Sequence, residues 1–225
     1  MELIFWDVDG TLMHCGASGT KALNLTFFEL FGICNAFESA GIGRAMDSAI
    51  LSVIMERHSI GSENLAEIES RFVLNLDKTL KSAENVRIMP GVMGLLSFFE
   101  ASGAINSLLT SNLRRGAETK LRSVGLWERC DGTERFTGGG FGDEPGEKWD
   151  AAAKALDEIE TKLEKKIPNS EVLVIGDGVY DIETAKKCGF RALATATGWT
   201  DRKTLSGANP DYLVDSLSEV DPAKL

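Results

Sequence analysis

Apolar positions along this chain change their period twice, and the changes divide it. Leu3-Ile4-Phe5-Trp6 is a short continuous apolar run closed by Asp7-Val8-Asp9-Gly10. That pattern predicts a strand buried on both faces and ending in an acidic turn. From Gly16 to Glu84 the spacing becomes helical. Ala22, Leu25, Phe28 and Phe31 follow a Ser18 or Thr20 N-cap, with Gly32 placed as C-cap. A second helix is predicted from Arg44 to Arg57, with Met46, Ala49, Ile50, Val53 and Ile54 on one face. A third carries Ile68, Phe72 and Leu76 behind an Asn64/Glu67 capping box. The pattern predicts helices and no strand in this stretch.

Beyond Met89-Pro90-Gly91, helix and strand patterns alternate. Val92 to Ala101, about Gly116 to Val124, Lys148 to about Lys165, and Tyr180 to Cys188 read as helices. Ile105 to Leu109, Val172 to Ile175, Ala192 to Ala194, and Tyr212 to Val214 read as strands. Such alternation predicts an α/β fold with a doubly wound, mostly parallel, Rossmann-like sheet. The first strand belongs to that sheet, so the helical stretch is an insertion. The expected division is a core of residues 1–15 and 86–225 with a helical cap of residues 16–85.

Composition narrows the partners. At 225 residues and 43% hydrophobic, the chain can bury a sizeable core. A net charge of −10 argues against a grip on nucleic-acid backbones or anionic membranes. It leaves room for a small anionic substrate, because a metal ion and one lysine reverse the sign locally. Cys15, Cys34, Cys130 and Cys188 form no Cys-x-x-Cys pair, which disfavours zinc and dithiol chemistry. No run approaches a membrane span, and no basic segment precedes a signal-like run, so a soluble cytoplasmic protein is expected.

Candidate chemistry gathers where strands end. In a parallel sheet, Asp7, Asp9, Thr110-Ser111-Asn112, Asp177 and Asp181 all fall along one carboxyl edge, where ligands bind. Singly, Asp177 is a turn residue, and Asp181 an acid suited to a helix N-terminus. Together they crowd like charges that repel unless a cation holds them, and oxygen donors of this kind suit magnesium. Asp7 and Asp9 do not open a calcium loop, because Leu12 and Ser18 stand where Gly and Glu are required. The Gly138–Gly142 cluster lacks the Gly-Lys-Ser/Thr of a P-loop. Arg44, after Gly41-Ile42-Gly43, is a specificity candidate, an exposed arginine at a helix start being the alternative. His14 and His58 read as surface or packing residues.

Four segments in order carry a resemblance: Asp7-Val8-Asp9-Gly10-Thr11-Leu12, Leu109-Thr110-Ser111-Asn112, Lys148, and Gly176-Asp177-Gly178-Val179-Tyr180-Asp181. They resemble the motifs of the haloacid dehalogenase-like hydrolase superfamily, and the insertion looks like the cap of its phosphoglycolate phosphatase-like branch. The resemblance implies that Asp7 attacks phosphorus to form an aspartyl-phosphate, and that Asp9 acts as general acid and then base. An acid at that second position favours phosphoryl transfer over carbon–halogen cleavage. Thr110 and nearby backbone N–H groups would hold phosphoryl oxygens, with Gly10, Ser111 and Asn112 at the substrate. Lys148, with Lys154 the nearest substitute, would neutralise charge. Mg2+ would be held by Asp7, the Asp9 carbonyl and Asp177, with Asp181 supporting. The expected activity is magnesium-dependent hydrolysis of a small phosphorylated metabolite. A phosphomutase and a non-catalytic binding protein are the alternatives.

Overall fold

The computed structural model describes residues 2–42, 45–143 and 145–225. Strand β1 (Leu3–Trp6) is fully buried, as its unbroken apolar run requires. After it come a short strand β2 (Met13–His14) and the helices α1 (Ser18–Phe31), α2 (Ala36–Ala40), α3 (Asp47–Arg57) and α4 (Leu65–Ser82). The chain returns through β3 (Arg87–Ile88), which pairs antiparallel with β2. The two crossings between the helical insertion and the sheet thus form one small ribbon. Next come α5 (Val92–Ala101), β4 (Ile105–Leu109), α6 (Arg114–Ser123), β5 (Gly139–Gly140) and α7 (Lys148–Leu163). β6 (Val172–Gly176), α8 (Val179–Cys188), β7 (Arg191–Thr195), α9 (Arg202–Gly207) and β8 (Tyr212–Val214) complete the order.

The main sheet runs β5-β4-β1-β6-β7-β8, with every adjacent pair parallel. Alternation along β1 separates two cores. Ile4 and Trp6 join Leu108, Leu173 and Ile175 under α5, α6 and the inserted helices. Leu3 and Phe5 join Leu109, Val172 and Val174 under α7 and α8. Helices on both faces of a parallel sheet make this a doubly wound α/β fold. β1 sits between β4 and β6, which brings the ends of three strands together.

Several local expectations are corrected. Ser18 is not an N-cap but the first residue of α1 after Ala17, and its buried hydroxyl has no partner among the described residues; Thr20 lies inside the helix. The Asn64/Glu67 capping box does not form. Asn64 instead closes a 3₁₀ turn, its Nδ2 donating to the Gly61 carbonyl at 3.0 Å, and α4 grows from that turn. The second predicted helix starts at Asp47, because Met46 is extended (ψ 143°). Arg44, its expected start and specificity candidate, lies outside the described residues. The Gly138–Gly142 cluster contributes the edge strand β5, and α2, α9 and the β2–β3 ribbon were unpredicted. They are too short to establish a period.

Candidate active site

Asp7 continues β1, its N–H donating to the Ile175 carbonyl at 2.9 Å, so its side chain emerges at the carboxyl edge. Gly10 then turns the chain at φ +82°, where a Cβ would sit 2.7 Å from Asp177 Oδ2. This is a position for glycine on both counts. The Gly10 N–H is committed to the Met13 carbonyl (2.8 Å) and its own carbonyl accepts from Thr197 Oγ1 (2.7 Å). Gly10 therefore allows close packing here, with both its amide and its carbonyl engaged.

Asp177, at the end of β6, and Asp181, in the first turn of α8, reach the same point. Carboxylate oxygens of Asp7, Asp177 and Asp181 lie within 4.8 Å of one another, all buried. Lys148, the first residue of α7 and 3% exposed, donates to Asp7 Oδ1 at 2.9 Å and to Asp181 Oδ1 at 2.5 Å. Its backbone N–H is held by Tyr180 Oη (2.8 Å), which in turn donates to Glu147 Oε2 (2.7 Å). Tyr180 thereby ties the start of α7 to the start of α8. Lys154 lies farther along α7 and is exposed. Asp181 also keeps its structural role, its Oδ2 accepting from the Gly178 N–H at 3.0 Å.

Charge in this cluster is unbalanced. Burial pushes the Asp7 carboxyl up to about 7, against the pull of Lys148. Burial, then the charges of Asp7 and Asp181, push Asp177 up to about 8. Burial alone would lower Lys148, yet Asp181 and Asp7 hold it well above the usual lysine range. Asp177 has Thr11 Oγ1 at 3.5 Å, and among the described residues no lysine or arginine pairs with it. Three buried acids against one lysine, offering oxygen donors alone, fit a hard divalent cation.

Asp9 belongs to a second, adjoining cluster. Its Oδ2 accepts from Lys120 Nζ (2.6 Å) and Asn112 Nδ2 (2.8 Å), and its Oδ1 from Cys15 Sγ (2.8 Å). Burial alone would raise Asp9, but Lys120, Cys15 and Asn112 hold it below the usual carboxylate range. Burial pushes the Cys15 thiol up to about 12, so it serves here as a hydrogen-bond donor and not as a thiolate. Asn112 is fully engaged, its Oδ1 accepting from Lys120 (2.6 Å) and its Nδ2 also donating to Thr110 Oγ1 (2.7 Å). It braces Asp9 and Thr110, and it also lines the crevice that holds Asp7. Thr110 is fully buried and, as an acceptor from Asn112, can aim its own proton into the crevice. Ser111 lines the crevice, while its carbonyl receives the Asp47 N–H at 2.8 Å.

Lys120, Cys15, Asp47 and Trp199 were not singled out from sequence. Lys120 carried a usable signal, because Leu113, Ala117, Lys120 and Leu121 occupy one buried stripe in and before α6. A lysine in an apolar stripe needs a partner. Trp199 follows β7 at the same sheet edge and is 87% exposed. Asp47 is the first residue of α3, a place where an acid is favoured whatever its function.

Known proteins share the family and the fold of this chain. The chain is 27% identical over 135 residues to a phosphoglycolate phosphatase of Synechococcus elongatus, covering 60% of this chain and 58% of that protein. It is 24% identical over 226 residues to phosphoglycolate phosphatase 1 of Pseudomonas aeruginosa, covering 98% and 79%. Among solved structures, CbbY from Rhodobacter sphaeroides in complex with phosphate superposes with a TM-score of 0.74 at 21% identity, over 100% of both chains. The family model for the haloacid dehalogenase-like hydrolase matches residues 4–186, from β1 into α8, and so takes in all four segments that meet at the sheet edge. The chain belongs to the haloacid dehalogenase-like hydrolases.

Proposed function

We propose that this hydrolase is a magnesium-dependent phosphomonoesterase that works through an aspartyl-phosphate on Asp7. The observation that carries the reading is Lys148 Nζ, 2.9 Å from Asp7 Oδ1, in a pocket where buried acids outnumber cations. A buried carboxylate beside one lysine and the Thr110 hydroxyl can attack phosphorus while its own charge is screened. Asp7, the Asp9 carbonyl and Asp177, with Asp181 supporting, would hold magnesium. Bound there, the ion supplies charge that stabilises the transferring phosphoryl group. Lys148 neutralises phosphoryl oxygens, and Thr110 donates to one. Asp9, held as a carboxylate by Lys120, is in the form that takes a proton from water when the intermediate is hydrolysed. The first half-reaction needs the protonated form, which gives its proton to the leaving oxygen.

In this reading the helices of residues 16–85 cap a core of residues 1–15 and 86–225, and shield the reaction from water. Phosphoglycolate, named for two of the relatives, exemplifies the class of small phosphorylated substrate. Release of phosphate from p-nitrophenyl phosphate, with and without magnesium, tests the proposal. Metal-dependent turnover is expected in the parent and none in Asp7→Asn. A binding protein or a mutase would release little phosphate, and turnover by pure Asp7→Asn protein would end the aspartyl-phosphate mechanism.

A further inference from the structure

A cavity of about 540 Å3 lies between the inserted helices and the sheet edge, within the ~300–1,000 Å3 usual for small-molecule sites. Its helical side is mostly hydrocarbon, with Leu23 of α1, Phe37 of α2, Ile50 and Leu51 of α3, and Phe72 of α4, beside the polar Thr20 of α1 and Asp47 of α3. A second cavity of about 200 Å3 holds Asp7, Thr110, Lys148 and Asp177. The two share Asp9, Ser111, Asn112 and Trp199 as lining. The larger space therefore adjoins the one at Asp7 through Asp9 and can receive the remainder of a phosphoester.

The charges of that space decide what fits. Among the described residues lining it, Lys120 is the only cation, and its Nζ is engaged at 2.6 Å by Asp9 and at 2.6 Å by Asn112. Asp9 and Asp47 are the acids that line it. A carboxylate or second phosphate entering here would lose water against the hydrocarbon of Leu23, Phe37, Ile50, Leu51 and Phe72 and meet the acids Asp9 and Asp47, an unfavourable exchange. A hydrocarbon group loses nothing polar and gains burial.

We propose that the natural substrate is a phosphomonoester whose alcohol portion is an uncharged alkyl or aryl group of several carbons, seated in this cavity with Trp199 at its entrance. The inference rests on the phosphatase reading for its chemistry. Water supplies an oxygen to phosphorus, the ester P–O bond breaks, and the leaving oxygen takes a proton, giving the alcohol and inorganic phosphate.

The test uses the full chain with magnesium and measures kcat/KM on ethyl, butyl and hexyl phosphate, with phosphoglycolate as the charged comparator. Burial of each methylene at about 0.8 kcal/mol predicts a rise of about three- to fourfold per carbon. Butyl phosphate should exceed phosphoglycolate, and Leu51→Ala should flatten the slope. The same chain-length series of alkylphosphonates, followed by thermal shift, reads binding without turnover. A flat or falling series in both arms, with phosphoglycolate turned over faster, overturns the proposal and leaves the phosphatase reading standing. Affinity that climbs with chain length while no ester is hydrolysed supports the apolar seat and removes the phosphatase reading instead.

Discussion

Lys120 touches neither Asp7 nor Lys148 but holds the second acid of the site. Its ammonium is 2.6 Å from Asp9 Oδ2, and its side chain is buried with Asn112. Lys120→Met keeps most of the stem volume and removes the charge. Asp9 would then keep only Asn112 and Cys15 as partners. We expect kcat on p-nitrophenyl phosphate to fall at least about tenfold, toward the ~10²–10⁴ that general acid–base catalysis supplies. Circular dichroism melts separate this from unfolding, and a folded Lys120→Met enzyme with parental kcat would detach Asp9 from Lys120. Asp9→Asn tests the role itself. An aryl oxide leaves with less need of a proton than an alkoxide, so the loss should be smaller on aryl than on alkyl phosphates. Equal losses would make Asp9 structural. Asp7 and Asp9 were legible because two acids directly after an apolar strand have no packing explanation. Lys120 was missed despite its place in an apolar stripe, because a lysine on a helix is by default read as solvated.

Helix α3 meets the sheet edge through its first turn. Asp47 N–H donates to the Ser111 carbonyl (2.8 Å), Ser48 N–H to the Gly142 carbonyl (2.9 Å), and Asp47 Oδ2 accepts from the Leu113 N–H (2.9 Å). Burial pushes the Asp47 carboxyl up to about 6, although Lys120 and the Leu113 amide pull the other way. Because this folded-state pKa is raised, the stability contribution of the protonated group is complete below about 3.8 and lost as pH rises through about 6. Asp47→Asn can still accept the Leu113 N–H and does not titrate. The variant should match the parent near pH 4 and exceed it above pH 6, by up to about 3 kcal/mol. Urea melts across that range measure the gap, and a gap independent of pH would contradict the shift. Tyr180 makes a similar junction between α7 and α8. Tyr180→Phe removes its contacts to Lys148 N–H and Glu147, and should cost about 1–3 kcal/mol. If that junction places Lys148, kcat falls with it while KM changes less; an unchanged kcat would confine Tyr180 to packing. The helices and strands themselves were legible from period. Their caps were not, because side-chain capping competes with turn closure that spacing does not encode.

At the scale of the whole molecule, the site exists only because of strand order. Asp7 ends β1 and Asp177 ends β6, and these strands are hydrogen-bonded neighbours although most of the chain separates them. Alternating patterns made a parallel sheet legible, and a parallel sheet puts strand ends on one edge. Which strands adjoin, and that the inserted helices leave a hydrocarbon-lined cavity beside the acids, depends on packing across distant segments. Asp177→Ala tests the convergence itself. In the parent, magnesium well above its Kd should raise stability, by about 2.7 kcal/mol at a hundredfold excess. The variant loses a donor from the group of buried acids at Asp7, so both the thermal shift and the magnesium activation should weaken, activation by roughly ten- to a hundredfold. Without metal the order reverses, since removing Asp177 relieves repulsion against Asp7 and Asp181, and the variant should melt no lower than the parent. Calorimetry with and without magnesium, beside activity titrations, reads both halves. A variant with unchanged magnesium dependence would place the ion away from the β1–β6 edge.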